Sequence, residues 1–235
     1  IRYVINIMLN KLKPTIAVID SGIGGVCTLK RLIDRYKFGN FIYFADNLFM
    51  PYGKKTAGVI KFRVESIIDM LNQKYQPDYI LIACNTASSV IDVAKFTNVR
   101  TISFSKQDTI FATSLTAKQL AGYNVIADTS LASMIEKYIE DKQKLEQIVK
   151  IHVKRFDLAK YRQITLGCTH YELVEHIFKK MCPKTTFICN SLCLTEAIDF
   201  EPMQNIKTVK VLLSKNDEKY EQLIYNLINT KGDKF

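Results

Sequence analysis

Two short segments of the chain share an order of residue types that could do chemistry. Residues 81–86 read Leu-Ile-Ala-Cys-Asn-Thr, and residues 165–170 read Thr-Leu-Gly-Cys-Thr-His. Each is an apolar, strand-like run that ends in a small residue and a cysteine, and a helix-like pattern follows. In an open α/β sheet this is the carboxyl end of a strand, where ligands bind and a helix begins. A thiol there lies near partial positive charge, so the pKa of Cys84 and Cys168 is predicted to fall below about 8.5.

Two thiols in matching contexts predict proton transfer at carbon. One thiolate would remove a proton from one face of a carbon atom, and the other thiol would supply a proton to the opposite face. The two groups then need opposite protonation states, so each needs its own acid or base partner. Asp20, at the end of an earlier strand-like run, is predicted to serve Cys84, and His170 is predicted to serve Cys168.

The remaining cysteines are assigned to packing, because free cysteines are among the most buried residue types. They are Cys27, Cys182, Cys189 and Cys193. No Cys-x-x-Cys pair occurs, and the chain has 3 histidines. The sequence therefore predicts neither a metal site nor a cofactor.

Small polar residues beside the two cysteines could bind an amino acid. Asn85, Thr86 and Thr169 carry short side chains suited to an α-carboxylate and an amino group. Ser21 follows Asp20 and is expected to enter the same cleft as Cys84.

Two glycine-containing loops are expected at the same sheet edge. Residues 20–25 read Asp-Ser-Gly-Ile-Gly-Gly, where a strand turns into a helix, and the backbone N–H groups could hold a carboxylate or phosphate. The segment lacks the P-loop and Gly-x-Gly-x-x-Gly spacings, so no mononucleotide site is indicated and a plain tight turn is the alternative. Pro51-Tyr52-Gly53 is a turn signature whose backbone could close on a ligand.

Length and composition bound the class of protein. With 235 residues, of which 48% are hydrophobic, the chain can form one large domain or two of ordinary size. Its 6 cysteines lack the dense spacing of a disulfide framework, which predicts a reducing cytoplasm. No apolar run approaches the roughly 18 residues that span a bilayer, and the opening residues do not form a signal peptide. Met8 is one candidate for the natural start, and a trimmed chain is the other.

The net charge alone does not indicate a nucleic-acid-binding protein. A net charge of +10 permits an acidic substrate or weak association with a polyanion. The lysines are interleaved with acids, and the densest basic stretch, residues 150–162, lacks the aromatic interleaving of a nucleic-acid motif. A small-molecule substrate is predicted, without nucleic acid or membrane.

Apolar runs alternate with amphipathic stretches almost throughout, which predicts parallel sheets built from βαβ units. We expect an α/β fold of two pseudo-symmetric lobes, each a mostly parallel sheet flanked by helices, with the active site in the cleft between them. The N-terminal lobe is predicted to comprise residues 14–99 plus about 190–235, and the second lobe residues 100–189.

Three further segments are predicted from their patterns. Helices are expected over residues 107–120 and 192–200, and a strand over residues 148–153.

At these residues the sequence resembles glutamate racemase, of the cofactor-independent aspartate/glutamate racemase superfamily. The matching motifs are Asp20-Ser21-Gly22-x-Gly24-Gly25, Asp46 with Pro51-Tyr52-Gly53, Cys84-Asn85-Thr86-Ala87-Ser88 and Leu166-Gly167-Cys168-Thr169-His170-Tyr171. The resemblance implies interconversion of L- and D-glutamate by a two-thiol mechanism. It also implies a homodimer and a supply of D-glutamate for peptidoglycan.

By motif match, Cys84 and Cys168 become the two catalytic bases, with Asp20 and His170 as their partners. The residues implied to bind substrate are Ser21, Pro51, Tyr52, Gly53, Asn85, Thr86 and Thr169. Weaker matches are Thr129, Tyr138 and Ser191.

The sequence also departs from the pattern of the family. The family carries a glutamate ahead of the second cysteine, close to His170, whereas residues 151–158 here are basic and hold Asp157 as their only carboxylate. Ser105-Lys106-Gln107 replaces a Glu-Pro-Gly, and Ala132 replaces a threonine. A slower enzyme is expected. The alternatives are a racemase-derived module that binds a ligand or partner without turning it over, and a sibling aspartate racemase.

Overall fold

The structure is a computed structural model, and it describes residues 14–36, 39–198 and 207–230. Met8 and the last residues of the helix predicted over 192–200 lie outside these ranges. The strands are β1 Thr15–Asp20, β2 Gly39–Ala45, β3 Tyr79–Ile82, β4 Val99–Thr101, β5 Thr109–Thr113, β6 Asn124–Asp128, β7 Gln163–Gly167, β8 Thr186–Cys189 and β9 Lys207–Leu213. The helices are α1 Val26–Arg35, α2 Ala57–Tyr75, α3 Asn85–Ser88, α4 Ser114–Gln119, α5 Leu131–Tyr138, α6 Lys142–Arg155, α7 Thr169–Leu173, α8 Glu175–Met181, α9 Asn190–Glu196 and α10 Glu218–Asn229.

The strands form two sheets, and each observed pairing is parallel. The first sheet has the order β4-β3-β1-β2-β9, and the second has the order β6-β5-β7-β8. Parallel strands are joined by helices that cover both faces, so the strands are apolar on both sides. β1 shows this clearly, since its last five residues are all buried. The predicted fold class, two mostly parallel sheets flanked by helices, is confirmed.

Two hydrophobic clusters hold the helices against the sheets. One lies between the first sheet and α2, where Ile19 and Phe44 pack with Ile60 and Val64. The other contains residues of both sheets, such as Val18 and Tyr43 of the first and Phe111 and Ile164 of the second. Within the second cluster the rings of Phe111 and Tyr171 stack with centroids 4.8 Å apart. Tyr171 follows His170, so this packing helps to fix the start of α7.

Two of the local predictions are wrong. The helix expected over residues 107–120 contains strand β5 before the short helix α4. Its segment Thr-Ile-Phe-Ala-Thr is nearly all buried in the middle of the second sheet, and β-branched and aromatic residues suit a strand there. The strand expected over residues 148–153 belongs to helix α6. Its buried residues recur at helical spacing, and the Asp141 side chain caps its first turn by accepting from Lys144 N.

The boundaries of the two predicted lobes stay a prediction. Strands β1 to β4 and β9 share one sheet, and β5 to β8 share the other. In the part of the chain that the structure describes, no helix is both long and apolar enough to cross a bilayer.

Candidate active site

The carboxyl ends of strands from both sheets meet at a cavity of about 390 Å³. Of the predicted site residues, those that line it are Ser21, Pro51, Tyr52, Gly53, Cys84, Asn85, Thr86, Cys168, Thr169 and His170. Asp20, the remaining predicted site residue, is fully buried at the end of β1. The strand–cysteine segments of the two sheets therefore face one common space.

Cys84 lies between β3 and α3 and is 5% exposed. Its Sγ is 3.9 Å from Oγ of Ser21 and accepts a hydrogen bond from the backbone N–H of Ala87. Burial raises the pKa of the Cys84 thiol above its ordinary value, and the charge of Asp20 raises it further. The lowered pKa predicted for this thiol is wrong, because α3 has four residues and its dipole is outweighed by desolvation. Cys84 is a thiol in this site.

Asp20 links the end of β1 to the start of α7. Its Oδ1 accepts from the backbone N–H of Gly22 at 2.9 Å, and its Oδ2 accepts from the hydroxyl of Thr169 at 3.1 Å. Burial raises the pKa of this carboxyl to about 6, and the charge of His170 limits the rise. Asp20 can therefore exchange a proton near neutral pH, and it acts on Cys84 through its charge.

Cys168 lies between β7 and α7 and is 6% exposed. Its Sγ is 3.9 Å from Nδ1 of His170, and Nε2 of the same ring is hydrogen-bonded to Glu136. Burial opposes a charge on His170, but the Glu136 carboxylate and the Cys168 sulfur together outweigh burial and raise the pKa of His170 well above its ordinary value. A protonated imidazole next to a sulfur favours the thiolate.

Glu136 was missed by the sequence reasoning. It lies on α5, 34 residues before His170, and lines the cavity. Residues 151–158 supply no carboxylate to His170, as their sequence indicates, and α5 supplies Glu136 instead. Asp157, the carboxylate within that stretch, is instead exposed near Lys160 at the surface. One signal was available: α5 follows β6, so its first turns must lie at the carboxyl edge of the sheet.

The predicted substrate-binding residues differ in whether their side chains already have hydrogen-bond partners. Both polar atoms of the buried Asn85 side chain lack a hydrogen-bond partner among the residues that the structure describes. A buried amide of this kind calls for an explanation, and a ligand in the adjoining cavity would supply one. The Thr86 hydroxyl is 3.1 Å from that of Thr113 and 3.0 Å from that of Thr116. Thr113 also lines the cavity and was not predicted from the sequence.

An ion pair between Asp46 and Arg63 of α2 fixes the loop after β2. Arg63 of α2 donates two hydrogen bonds of 2.9 Å to Asp46, and the hydroxyl of Tyr52 donates to the same carboxylate at 2.7 Å. The Tyr52 hydroxyl is thus used inside the protein, and the residue reaches the cavity with its ring and backbone. Gly53 approaches Thr113, since a Cβ atom on Gly53 would lie 3.6 Å from Cβ of Thr113, and both residues line the cavity.

The turn after β1 is glycine-rich because it packs closely against α7. A Cβ atom on Gly24 would lie 2.4 Å from Oγ1 of Thr169 and 2.8 Å from the backbone nitrogen of His170. The sequence predicts an anion at the N–H groups of this turn. In the structure those anions are the protein's own, since Gly22 donates to Asp20 and Ile23 donates to Glu136 at 3.4 Å.

The weaker motif matches and the other cysteines lie outside this cavity. Ser191 is hydrogen-bonded to Glu172, Thr129 lines a neighbouring cavity of about 280 Å³, and the ring of Tyr138 lies under Lys144.

Cys27, Cys182 and Cys189 are buried, but Cys193 is exposed on α9, so its assignment to packing is wrong. Within the described ranges, no group of three or more His, Cys, Asp or Glu side chains is arranged to hold a metal ion.

Curated proteins similar to this chain are named glutamate racemase. That of Pasteurella multocida is 29% identical over 243 residues, covering 92% of this chain and 87% of its own. That of Actinobacillus pleuropneumoniae serotype 5b is 25% identical over 245 residues, covering 89% and 92%. No family profile matches the chain.

Solved structures of glutamate racemases share the fold. The enzyme from Bacillus anthracis superposes with a TM-score of 0.78 at 20% identity, covering 92% of this chain and 94% of its own. The enzyme from Campylobacter jejuni gives 0.77 at 24% identity, covering 93% and 99%. A third, from Francisella tularensis in complex with D-glutamate, gives 0.73 at 22% identity, covering 93% and 94%. The chain is therefore similar in sequence to curated glutamate racemases, and it shares the fold of the solved ones.

Proposed function

We propose that this chain interconverts L- and D-glutamate by moving the α-proton between Cys84 and Cys168. One observation carries the proposal: two equally buried thiols, one from each sheet, line the same cavity beside partners of opposite charge. A site with one thiol would suit a nucleophile, whereas two thiols on one cavity suit acid and base roles on one carbon. Homology to glutamate racemases supports racemisation of glutamate.

The charges assign a resting state to the two thiols. Cys168, whose Sγ is 3.9 Å from Nδ1 of His170, takes the role of the base that removes the α-proton. Cys84, whose burial and neighbour Asp20 disfavour the charge, is the thiol and gives its proton to the other face of the carbanion. After one turnover Cys168 carries the proton and Cys84 is the thiolate, so the reverse reaction runs from that state.

The polar groups around the cavity would hold the rest of the amino acid. Asn85 offers an amide donor and acceptor that no other described residue pairs with, and Thr86 and Thr113 line the same cavity. Thr169, held by Asp20, completes the row on the Cys168 side. These groups suit an α-carboxylate and an α-ammonium, and Ser21, Pro51, Tyr52 and Gly53 close the cavity around the side chain.

The test is proton NMR of each glutamate enantiomer incubated with reduced protein in D2O. We expect loss of the α-proton signal from both enantiomers, well above a control without enzyme, and appearance of the opposite enantiomer. Exchange without inversion would restrict the site to one working thiol. Tight binding of D-glutamate without any exchange would favour the racemase-derived binding module, and faster turnover of aspartate would favour the sibling enzyme.

The other consequences of the homology stay proposals. They are a homodimer, a place in the reducing cytoplasm, a mechanism that needs no cofactor, and a supply of D-glutamate for peptidoglycan. The homodimer is the easiest to examine, by the mass of the protein in solution.

A further inference from the structure

The Glu136 carboxylate joins parts of the chain that are far apart in sequence. One oxygen, Oε2, bonds to Nε2 of His170 and accepts from the backbone N–H of Ile23. The other oxygen, Oε1, accepts from the hydroxyl of Tyr220 at 2.5 Å. Nδ1 of the same imidazole lies 3.9 Å from Sγ of Cys168. Glu136 therefore contacts His170, and His170 contacts the reacting sulfur.

Tyr220 lies in the first turn of α10, and that turn is fixed. Asp217 caps the helix by accepting from the backbone N–H of Tyr220 at 3.0 Å. The Tyr220 hydroxyl is also 3.6 Å from Sδ of Met50, in the loop after β2. Burial and the Glu136 charge raise the pKa of Tyr220, so its hydroxyl keeps its proton and stays a donor to Glu136.

The Tyr220–Glu136 hydrogen bond crosses the cleft between the two sheets. α10 packs on β9 and α1, which belong with the first sheet, whereas α5 follows strand β6 of the second sheet. An element of the first sheet and an element of the second sheet thus meet at the Glu136 carboxylate. We propose that Glu136 and Tyr220 are positioning residues for His170, through which helix α10 of the first sheet controls the acid–base partner of Cys168 on the second. This inference rests on the proposed function of the site.

The groups that face this cluster come from several elements. His170 faces Glu136 on α5, Asp20 on β1 and the neighbouring Cys168. Asp20 raises the pKa of Tyr220 as well, after Glu136 itself. Lys137, next to Glu136 in sequence, has its ammonium 5.1 Å from the centre of the Tyr138 ring. His170 therefore pairs with Glu136 inside the site and is the main group that lowers the pKa of this carboxyl, and the Tyr220 hydroxyl adds a hydrogen bond that holds the carboxylate in place.

The first experiment follows the protonation of His170 by NMR, with labelled histidine, in the full-length protein. We expect the pKa of His170 to fall in Tyr220→Phe, because the carboxylate loses the hydroxyl that holds it against the imidazole, and to fall further in Glu136→Gln, which removes the charge. Glu136→Asp keeps the negative charge, so the pKa of His170 should fall less in this variant than in Glu136→Gln. Tyr225→Phe is the matched control, since Tyr225 lies on the same helix but its hydroxyl accepts from Val211 N. An unchanged His170 titration in Tyr220→Phe, or an equal shift in Tyr225→Phe, would overturn the proposal.

The second experiment connects the cluster to catalysis. Loss of this charge-assisted hydrogen bond in Tyr220→Phe should lower the α-proton exchange rate about tenfold. Because the pKa of His170 falls in this variant, the exchange rate should decline at a lower alkaline pH than in the wild-type protein. A fall in rate with the wild-type profile would mean a merely structural role and would contradict the proposal. If the wild-type protein shows no exchange while the His170 titrations shift as expected, the proposed function fails and the positioning role stands.

Discussion

The two sides of the cavity have the same local plan but opposite electrostatics. Cys84 and Cys168 each follow a buried parallel strand, each precede a short helix and are 5% and 6% exposed. Cys84 faces a buried carboxyl and a hydroxyl, whereas Cys168 faces an imidazole that is held by a carboxylate. The comparison teaches that the strand end places each thiol, while groups from other elements set the charge that surrounds it.

The largest expected effect comes from removing either thiol. Cys84→Ser and Cys168→Ser should each lower racemisation by at least about 10³-fold, because a hydroxyl is too weak a base for the remaining step. Cys182→Ser is a control that keeps the chemistry of both sides. Chiral chromatography of the products measures the rates, and near-wild-type inversion in either site variant would break the two-thiol comparison.

The partners should act on different faces of the substrate. His170→Asn should slow exchange of the α-proton that Cys168 removes, and Asp20→Asn should slow the exchange at Cys84, each by about 10²-fold. The two variants should therefore differ in the enantiomer of glutamate whose α-proton is replaced by deuterium without conversion to the opposite enantiomer. Deuterium incorporation into L- and D-glutamate, measured separately at early times, checks this. Equal slowing of both enantiomers in both variants would show that the partners are shared.

The thiols should also differ in their reaction with a small alkylating reagent. At neutral pH iodoacetamide should modify Cys168 about tenfold faster than Cys84, since the thiolate is the reactive form and the two are equally buried. Peptide mass spectrometry separates both from the exposed Cys193. In His170→Asn the difference should shrink, and equal rates in the wild-type protein would remove the electrostatic distinction.

The smallest effect concerns stability at the Cys84 side. The pKa of buried Asp20 is raised from 3.8 to about 6, so ionising it destabilises the folded state. The penalty is absent below pH 4, grows as the pH rises towards 6 and is complete above it, reaching up to about 3 kcal/mol. Asp20→Asn should thus be more stable than wild type at pH 7 by about 1 to 3 kcal/mol and equal to it near pH 4. Thermal unfolding at both pH values measures the difference, and a constant difference would contradict the assignment.

Much of this site could be predicted from the sequence, because its main parts are local. Cys84, Cys168 and His170 follow recognisable strands, and a strand end fixes a neighbouring side chain without reference to the rest of the fold. Glu136 and Tyr220 could not be predicted in the same way, because they lie 84 residues apart and meet only when two helices from different sheets pack at the cleft. The mistaken helix over residues 107–120 had the same cause: Thr113 reaches the cavity only because β5 is central in the second sheet.

The hydrophobic cluster that contains Val18 and Tyr43 together with Phe111 and Ile164 has a consequence for folding. When two sheets bury side chains in one continuous core, loss of either sheet exposes apolar surface on the other. The two halves are then expected to unfold in a single cooperative transition, and a half-molecule carrying one thiol would not persist by itself. Calorimetry would show this as one peak whose calorimetric and van't Hoff enthalpies agree.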